Sequence, residues 1–174
     1  MTGTVARRFR GESVHKVDTK GRVSIPAPFR RVLEENDPEW TDGLNPNLII
    51  VYGGKSRPFL EGFSVTAMDD VDDRIAHMPR GSKNRRILER MFSGQAVQIQ
   101  IDETGRLVLS QKLRDKVGIS TEAFFIASGD TFQIWQPAAY DARAARLEDE
   151  LDEQDEDFDP LTLLDAGSNE GTEG

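Results

Sequence analysis

One segment of this chain occurs twice. DTKGRVSIPAPFRRV begins at Asp18, and DETGRLVLSQKLRDKV begins 84 positions later at Asp102. Asp18, Gly21, Arg22 and Arg30 recur identically as Asp102, Gly105, Arg106 and Arg114, while Val23, Ile25 and Phe29 recur in character as Leu107, Leu109 and Leu113. A repeat spanning nearly half the chain constrains the fold more than composition does, because whatever one copy forms the other forms too. Two copies packed as a pseudo-dimer are the economical expectation. The repeats are read as residues 9–80 and 81–147, followed by an acidic segment, 148–174, that loses apolar content and is expected to lack fixed structure.

The local pattern of each copy predicts its elements. Val97, Ile99 and Ile101 alternate with polar residues, as on a half-buried strand. A tight turn follows. Asp102 can accept bonds from backbone N–H groups two residues on, and Gly105 can adopt positive φ. Leu107–Leu109 forms a second strand, Ser110 an N-cap, and a short helix buries Leu113 and Val117 before stopping at Gly118. In the first copy, Pro26 or Pro28 opens the matching helix, which buries Phe29, Val32 and Leu33. Leu48–Tyr52, Phe124–Ile126 and Phe132–Trp135 add strands. Between the repeats, Met68, Val71, Ile75 and Met78 lie on one side of a helix expected to be capped by Thr66. A second helix, capped by Ser82, is expected to bury Ile87, Leu88, Met91 and Phe92. A last helix from about Pro137 carries Tyr140, Ala144 and Leu147 on one side.

The charge is unevenly spread. The formal net charge is −9, yet residues 147–174 hold 12 acids and no base, leaving a mildly basic body. Residues 1–33 hold eight Lys/Arg against two acids, and residues 80–116 nine against four. An acidic overall balance therefore does not exclude a polyanionic partner. The chain has no cysteine, which excludes disulfides, thiolate metal sites and cysteine nucleophiles. No window approaches the length of a membrane-spanning helix, and the opening MTGTVARRFRG lacks the apolar core of a secretory signal, so a cytoplasmic protein is expected.

The doubled D-x-x-G-R turn is the strongest candidate site. Turn chemistry needs the Asp and the Gly but not the Arg. Asp18 and Asp102 are expected to fix the turns, with Gly21 and Gly105 at the bends, and to orient Arg22 and Arg106. A guanidinium fork suits a phosphate or a guanine edge. The competing reading is an internal Asp–Arg pair that merely closes the hairpin. Other signals are weak. Asp69–Asp73 lacks the glycine and spacing of a calcium loop, His15 and His77 have no ligand spacing, Gly53–Ser56 lacks the rest of a phosphate loop, and Ser24 has no nucleophile elbow. No catalytic constellation, metal site or cofactor is expected, and no small-molecule substrate or membrane partner.

FRG at Phe9, DTKGRVSIPAPFRRVL, FSGQAVQIQIDETGRLVLSQKLRDKVG and GDTFQIWQPAAYD, in that order, resemble the MraZ family of bacterial transcriptional regulators, encoded with cell-division and cell-wall genes. The resemblance runs from about Phe9 to Leu147. It implies an α+β, mainly β fold: a swapped-hairpin barrel similar to AbrB and SpoVT, built from two tandem repeats with peripheral helices. It also implies ring-like homo-oligomers, associated with the nucleoid, that bind double-stranded DNA at repeated promoter boxes, usually as repressors. The DNA-facing residues it implies are Arg22 and Arg106, with Lys20, Arg7, Arg8 and Arg10 as basic surroundings. In the second turn Glu103-Thr104 replaces Thr19-Lys20. Glu103 repels phosphate, so Arg22 is expected to matter more than Arg106. The acidic segment has three readings: a solubilising tail, a DNA mimic, or a dock for a basic partner. The rival functions are an AbrB-type antitoxin and an oligomeric scaffold that does not touch DNA.

Overall fold

In the computed structural model, residues 8–152 and 157–167 are described. The chain divides into two compact units, residues 1–140 and 141–174. The first unit opens with strand β1 (Glu12–Lys16), a turn, and the short strand β2 (Arg22–Ser24). Helix α1 (Ala27–Glu35) follows, then β3 (Asn47–Val51), β4 (Phe59–Ser64) and α2 (Val65–Ala76). Helix α3 (Lys83–Glu89) passes into a π-helical turn over Arg90–Gly94. The pattern then restarts with β5 (Ala96–Gln100), β6 (Arg106–Val108), α4 (Gln111–Val117), β7 (Glu122–Ser128), β8 (Thr131–Trp135) and the start of α5 (Pro137–Asp152).

Six strands form one antiparallel sheet in the order β1-β7-β8-β4-β3-β5, and β2 pairs β6 in a separate two-stranded ribbon. Exchanging the repeats maps this order onto its own reverse. Each repeat's first strand pairs with the other repeat's sheet: β1 with β7, and β5 with β3. The halves also meet at β4–β8. The repeats thus share one sheet and one core.

The expected swapped-hairpin barrel is not confirmed by the sheet. The six-stranded sheet is open, with β1 and β5 at its edges. Past each edge strand the ladder narrows at the Asp turn, where Asp18 N–H bonds the Arg22 carbonyl and Asp102 N–H bonds the Arg106 carbonyl. In the first hairpin only the isolated Val17–Val23 bridge continues the pairing.

The core packs Val23, Leu107 and Leu109 from the ribbon region with Phe29 and Leu33 of α1 and with Leu48, Ile50, Leu60, Phe125, Phe132 and Ile134 of the sheet. The rings of Phe9, Phe29 and Phe132 meet edge-on or tilted, with centroids 5.1–5.2 Å apart. Each buried aromatic contributes about 2–3 kcal/mol of hydrophobic transfer. Gly62 lies beneath the Phe132 ring, where a Cβ would strike it. A second cluster, Val51, Phe63 and Met68, packs with Val71, Met91 and Phe92.

The caps follow the sequence in part. The Ser110 hydroxyl accepts from Leu113 N–H, Ser82 from Arg85 N–H, and Gly118 ends α4 at φ 72°. Helix α2 is capped by Ser64, not Thr66; the Thr66 hydroxyl instead donates to the Asn36 carbonyl. Helix α3 buries no residue, and Ile87, expected inside, is 53% exposed. Val97 is also exposed, because β5 is an edge strand.

In the second unit α5 runs to Asp152, and a 3-10 turn over Pro160–Thr162, capped by Asp159, leads into the short helix α6 (Leu163–Gly167). Within the acidic segment the described helix is thus confined to the end of α5, the 3-10 turn and α6. No helix of the described residues is long and apolar enough to cross a membrane, and no group of three His, Asp or Glu among them could hold a metal ion.

Candidate nucleic-acid interface

Both D-x-x-G-R turns adopt the same geometry. Gly21 N–H bonds the Asp18 carbonyl at 2.9 Å, and Gly105 N–H bonds the Asp102 carbonyl at 3.1 Å. The glycines sit at φ 82° and 81°, where a β-carbon is strained. Asp18 Oδ1 accepts from Lys20 N–H and Arg22 N–H, each at 2.9 Å, and its Oδ2 accepts from Arg22 Nε at 2.6 Å. Asp102 Oδ1 accepts from Thr104 N–H, the Thr104 hydroxyl and Arg106 N–H, and its Oδ2 from Arg106 Nε at 3.1 Å.

These bonds act on the anion. The Arg106 backbone N–H, aided by Thr104 and the Arg106 charge and opposed by partial desolvation, holds the Asp102 carboxyl at about 2. The Arg22 backbone N–H does the same for Asp18, whose carboxyl also lies below its ordinary range.

The internal Asp–Arg pair exists, but it engages one edge of each guanidinium. Nε is clamped on the carboxylate, and among the described residues neither Nη of Arg22 or Arg106 has a partner. The side chains are 39% and 38% exposed. Each arginine therefore presents a two-nitrogen edge with its orientation set from behind. The clamp also neutralises the pair, so the edge serves as a donor pattern more than as a net charge.

The ribbon places the two edges together. Arg22 lies opposite Val108, and Ser24 opposite Arg106, around the central Val23–Leu107 pair. Val23 and Leu107 point into the core, so by strand alternation Arg22, Ser24, Arg106 and Val108 share the outward face. The arginines are diagonal neighbours, at a separation of about 7–8 Å.

Lys20 is exposed within the first turn. Arg8 and Arg10 are exposed, but they sit elsewhere: Phe9 N–H bonds the Gly129 carbonyl, and Ala127 N–H bonds the Gly11 carbonyl, beside the β7–β8 hairpin. Strand β1, about 16 Å of extended chain, separates them from the Asp18 turn. They do not join Arg22 in one patch. Arg7 lies outside the described residues.

Four supporting residues carry no role in the sequence reading. Arg30 Nη1 donates to the Asp102 carbonyl at 2.7 Å, so the first repeat's helix braces the second repeat's turn. Arg114 Nε donates to the Leu109 carbonyl at 3.0 Å, close behind Gly21. Their identity at matching repeat positions was the available signal. Ser24 and Val108 could have been found by alternation once the ribbon pairing was known.

The MraZ protein family model, whose description adds an antitoxin-like character, matches residues 8–86 and again 91–159. The chain is 60% identical to the transcriptional regulator MraZ of Ruegeria pomeroyi over 93% of its own length and 98% of that protein. It is 59% identical to the protein of the same name from Ruegeria sp. strain TM1040 over the same shares. It is 43% identical to the transcriptional regulator MraZ of Cereibacter sphaeroides strain ATCC 17029, over 84% of this chain and 90% of that one. A model matched by both halves, together with full-length relatives at this identity, shows that the chain belongs to the MraZ family.

Proposed function

We propose that this chain is a sequence-specific, double-stranded DNA-binding transcriptional regulator. The observation that carries the reading is the pair of Nε-clamped, Nη-open arginines on one outward ribbon face. A two-stranded ribbon fits the major groove, and a guanidinium edge matches guanine O6 and N7. The relatives' names as transcriptional regulators support it. Repeats 9–80 and 81–147 supply one half of the face each. Lys20 adds phosphate attraction beside Arg22, and Arg8 and Arg10 add it at a distance.

One ribbon offers few base contacts, each worth roughly 1–3 kcal/mol. A single copy therefore binds weakly. A ring-like homo-oligomer engaging repeated promoter boxes raises affinity through effective concentration. Occupying the promoter of the division and cell-wall cluster excludes polymerase, so the action is repression, in the cytoplasm and at the nucleoid. No enzymatic step is assigned.

The test is a salt-titrated gel shift on the DNA upstream of the gene. The reading expects binding that falls steeply with salt and is weakened on the specific box in Arg22→Ala. A salt slope near zero, or full binding by the Arg22→Ala/Arg106→Ala double variant, overturns it in favour of a scaffold.

A further inference from the structure

The two turns of the ribbon are held in different ways. Gly21 is buried against the Leu109 carbonyl, with Arg114 Nε beside it, so the second repeat's strand backs the first turn. Gly105 has open space in the corresponding place. The second turn stands beside a groove of about 350 Å³ whose lining includes Ala27, Arg30, Glu103 and Gly105. One side chain supplies the backing that the strand does not. Arg30 Nη1 donates to the Asp102 carbonyl at 2.7 Å, across 72 residues of sequence. The same carbonyl accepts Gly105 N–H, the bond that closes the turn. In the first turn the matching carbonyl, that of Asp18, accepts Gly21 N–H and, among the described residues, no side chain. The matching arginine, Arg114, donates to the Leu109 carbonyl of its own repeat.

Arg30 is itself pinned. Its Nε lies 3.5 Å from Glu34 Oε2 and its Nη2 donates to Asn45 Oδ1 at 3.5 Å, both within the first repeat, and the side chain is only 22% exposed. A planar guanidinium fixed on its own side acts as a strut, not as a loose tether. The peptide it holds belongs to Asp102, whose carboxylate clamps the N–H and Nε of Arg106. Carbonyl and carboxylate branch from one Cα, so a rotation of that peptide carries the clamp with it. A guanidinium aimed at a base edge tolerates a displacement of only about 0.5 Å.

We infer that Arg30 is a positioning residue for Arg106: the helix of the first repeat aims the DNA-reading arginine of the second. Arg30 reads no base itself and acts through the Asp102 clamp. Arg22 does not depend on it, because the first turn is backed by the Leu109 carbonyl. Removing the strut therefore disables one half of the ribbon face and leaves the other half working. The inference rests on the proposed DNA binding and adds how the two halves of that site are set.

The experiment is a double-mutant cycle on the full chain, with affinity for the promoter box read by fluorescence anisotropy. Arg30→Met keeps the apolar stem and removes every donor. Arg30→Gln, made alongside, carries an amide that stops well short of the Nη1 position. Each is expected to weaken box binding about fivefold, the low end for one base contact, with little change on random DNA. In an Arg106→Ala background the same substitution is expected to cost nothing further, and in an Arg22→Ala background to keep its full effect. A brace that merely stabilised the fold would act alike in both. A second readout needs no DNA: the Nε–H signals of Arg22 and Arg106 in heteronuclear NMR, assigned with the two alanine variants. Arg30→Met is expected to shift or broaden the Arg106 signal and to leave that of Arg22, which also shows that the variant is folded. Unchanged box affinity, equal effects in the two backgrounds, or a change in both Nε–H signals or in neither overturns the inference. A selective change at Arg106 in a chain whose wild type binds no box overturns the proposed function and leaves the positioning role standing, so the two failures are distinguishable.

Discussion

Arg22 lies opposite Val108 in the β2–β6 ribbon, and the first-repeat position matching Val108 is Ser24. The face is symmetric in its arginines and asymmetric between them. Val108 is 53% exposed, an apolar side chain beside a guanidinium edge. On a major-groove floor its natural contact is a thymine methyl. Replacing thymine by uracil in the box removes only that methyl. Wild-type affinity is expected to fall about fourfold, from about 0.8 kcal/mol per buried methyl group. Val108→Ser is expected to bind both DNAs alike. Equal wild-type binding to the two DNAs, by fluorescence anisotropy, would refute the contact.

The two turn glycines differ in what lies behind them. A Cβ on Gly21 would collide with the Leu109 carbonyl, whose own N–H bonds the Gly21 carbonyl at 2.8 Å, whereas Gly105 has open space around it. Both pay the positive-φ penalty of about 1–2 kcal/mol when a side chain is added. Only Gly21→Ala also displaces backbone of the other repeat. Urea unfolding should find Gly21→Ala more destabilising than Gly105→Ala by about 1 kcal/mol or more.

Lys20 and Arg22 do different things in the same turn. Arg22 is neutralised by Asp18, while Lys20 has no ion pair among the described residues. Lys20→Ala is therefore expected to weaken binding similarly on every sequence and to lower the log–log salt slope by about one. Arg22→Ala is expected to cost roughly 1–3 kcal/mol on the specific box and little on random DNA. Arg106→Ala costs less than Arg22→Ala, since Glu103 stands where the first turn has Thr19. Abolished binding in Arg106→Ala with binding retained in Arg22→Ala would reverse that order. The measurement is a salt titration of each variant on box and non-box DNA.

The parts legible in the sequence are those decided within a few residues. Asp18, Gly21 and Arg22 specify their turn wherever it sits, and Ser110 and Gly118 bound α4 by local hydrogen bonding and handedness. Pairing across the chain left no local trace. That β1 joins β7 of the other repeat, and that the sheet stays open, depends on contacts more than a hundred residues apart in sequence. Periodicity marked Ile87 as apolar but not whether anything covers it. Ser64 and Thr66 both offer a capping hydroxyl, and the helix starts one residue after the first. Arg8 and Arg10 are close to Arg22 along the chain, yet an extended strand intervenes.

Acid should open the arginine clamps in a defined window. Asp102 moves from an ordinary 3.8 to about 2, and Asp18 is lowered in the same direction. In each case the unfolded carboxyl takes up its proton first as pH falls. The stabilisation from the clamps is therefore complete above about pH 4 and is lost as pH falls through the folded values. His15 moves in another window. Burial lowers its pKa below 6.5, so the unfolded state again protonates first and stability declines as pH falls below 6.5. The difference between wild type and Asp102→Asn isolates the second turn, because His15 is common to both. That difference is expected to stay constant from pH 8 to 5 and to shrink toward pH 2, in denaturant unfolding followed by circular dichroism. Asp102→Asn keeps one oxygen for the backbone N–H groups but, in that orientation, sets an amide nitrogen against Arg106 Nε, so Arg106 loses its orientation at every pH. DNA affinity should then fall in Asp102→Asn already at neutral pH. An unchanged affinity there would mean that the carboxylate shapes the turn without aiming the arginine.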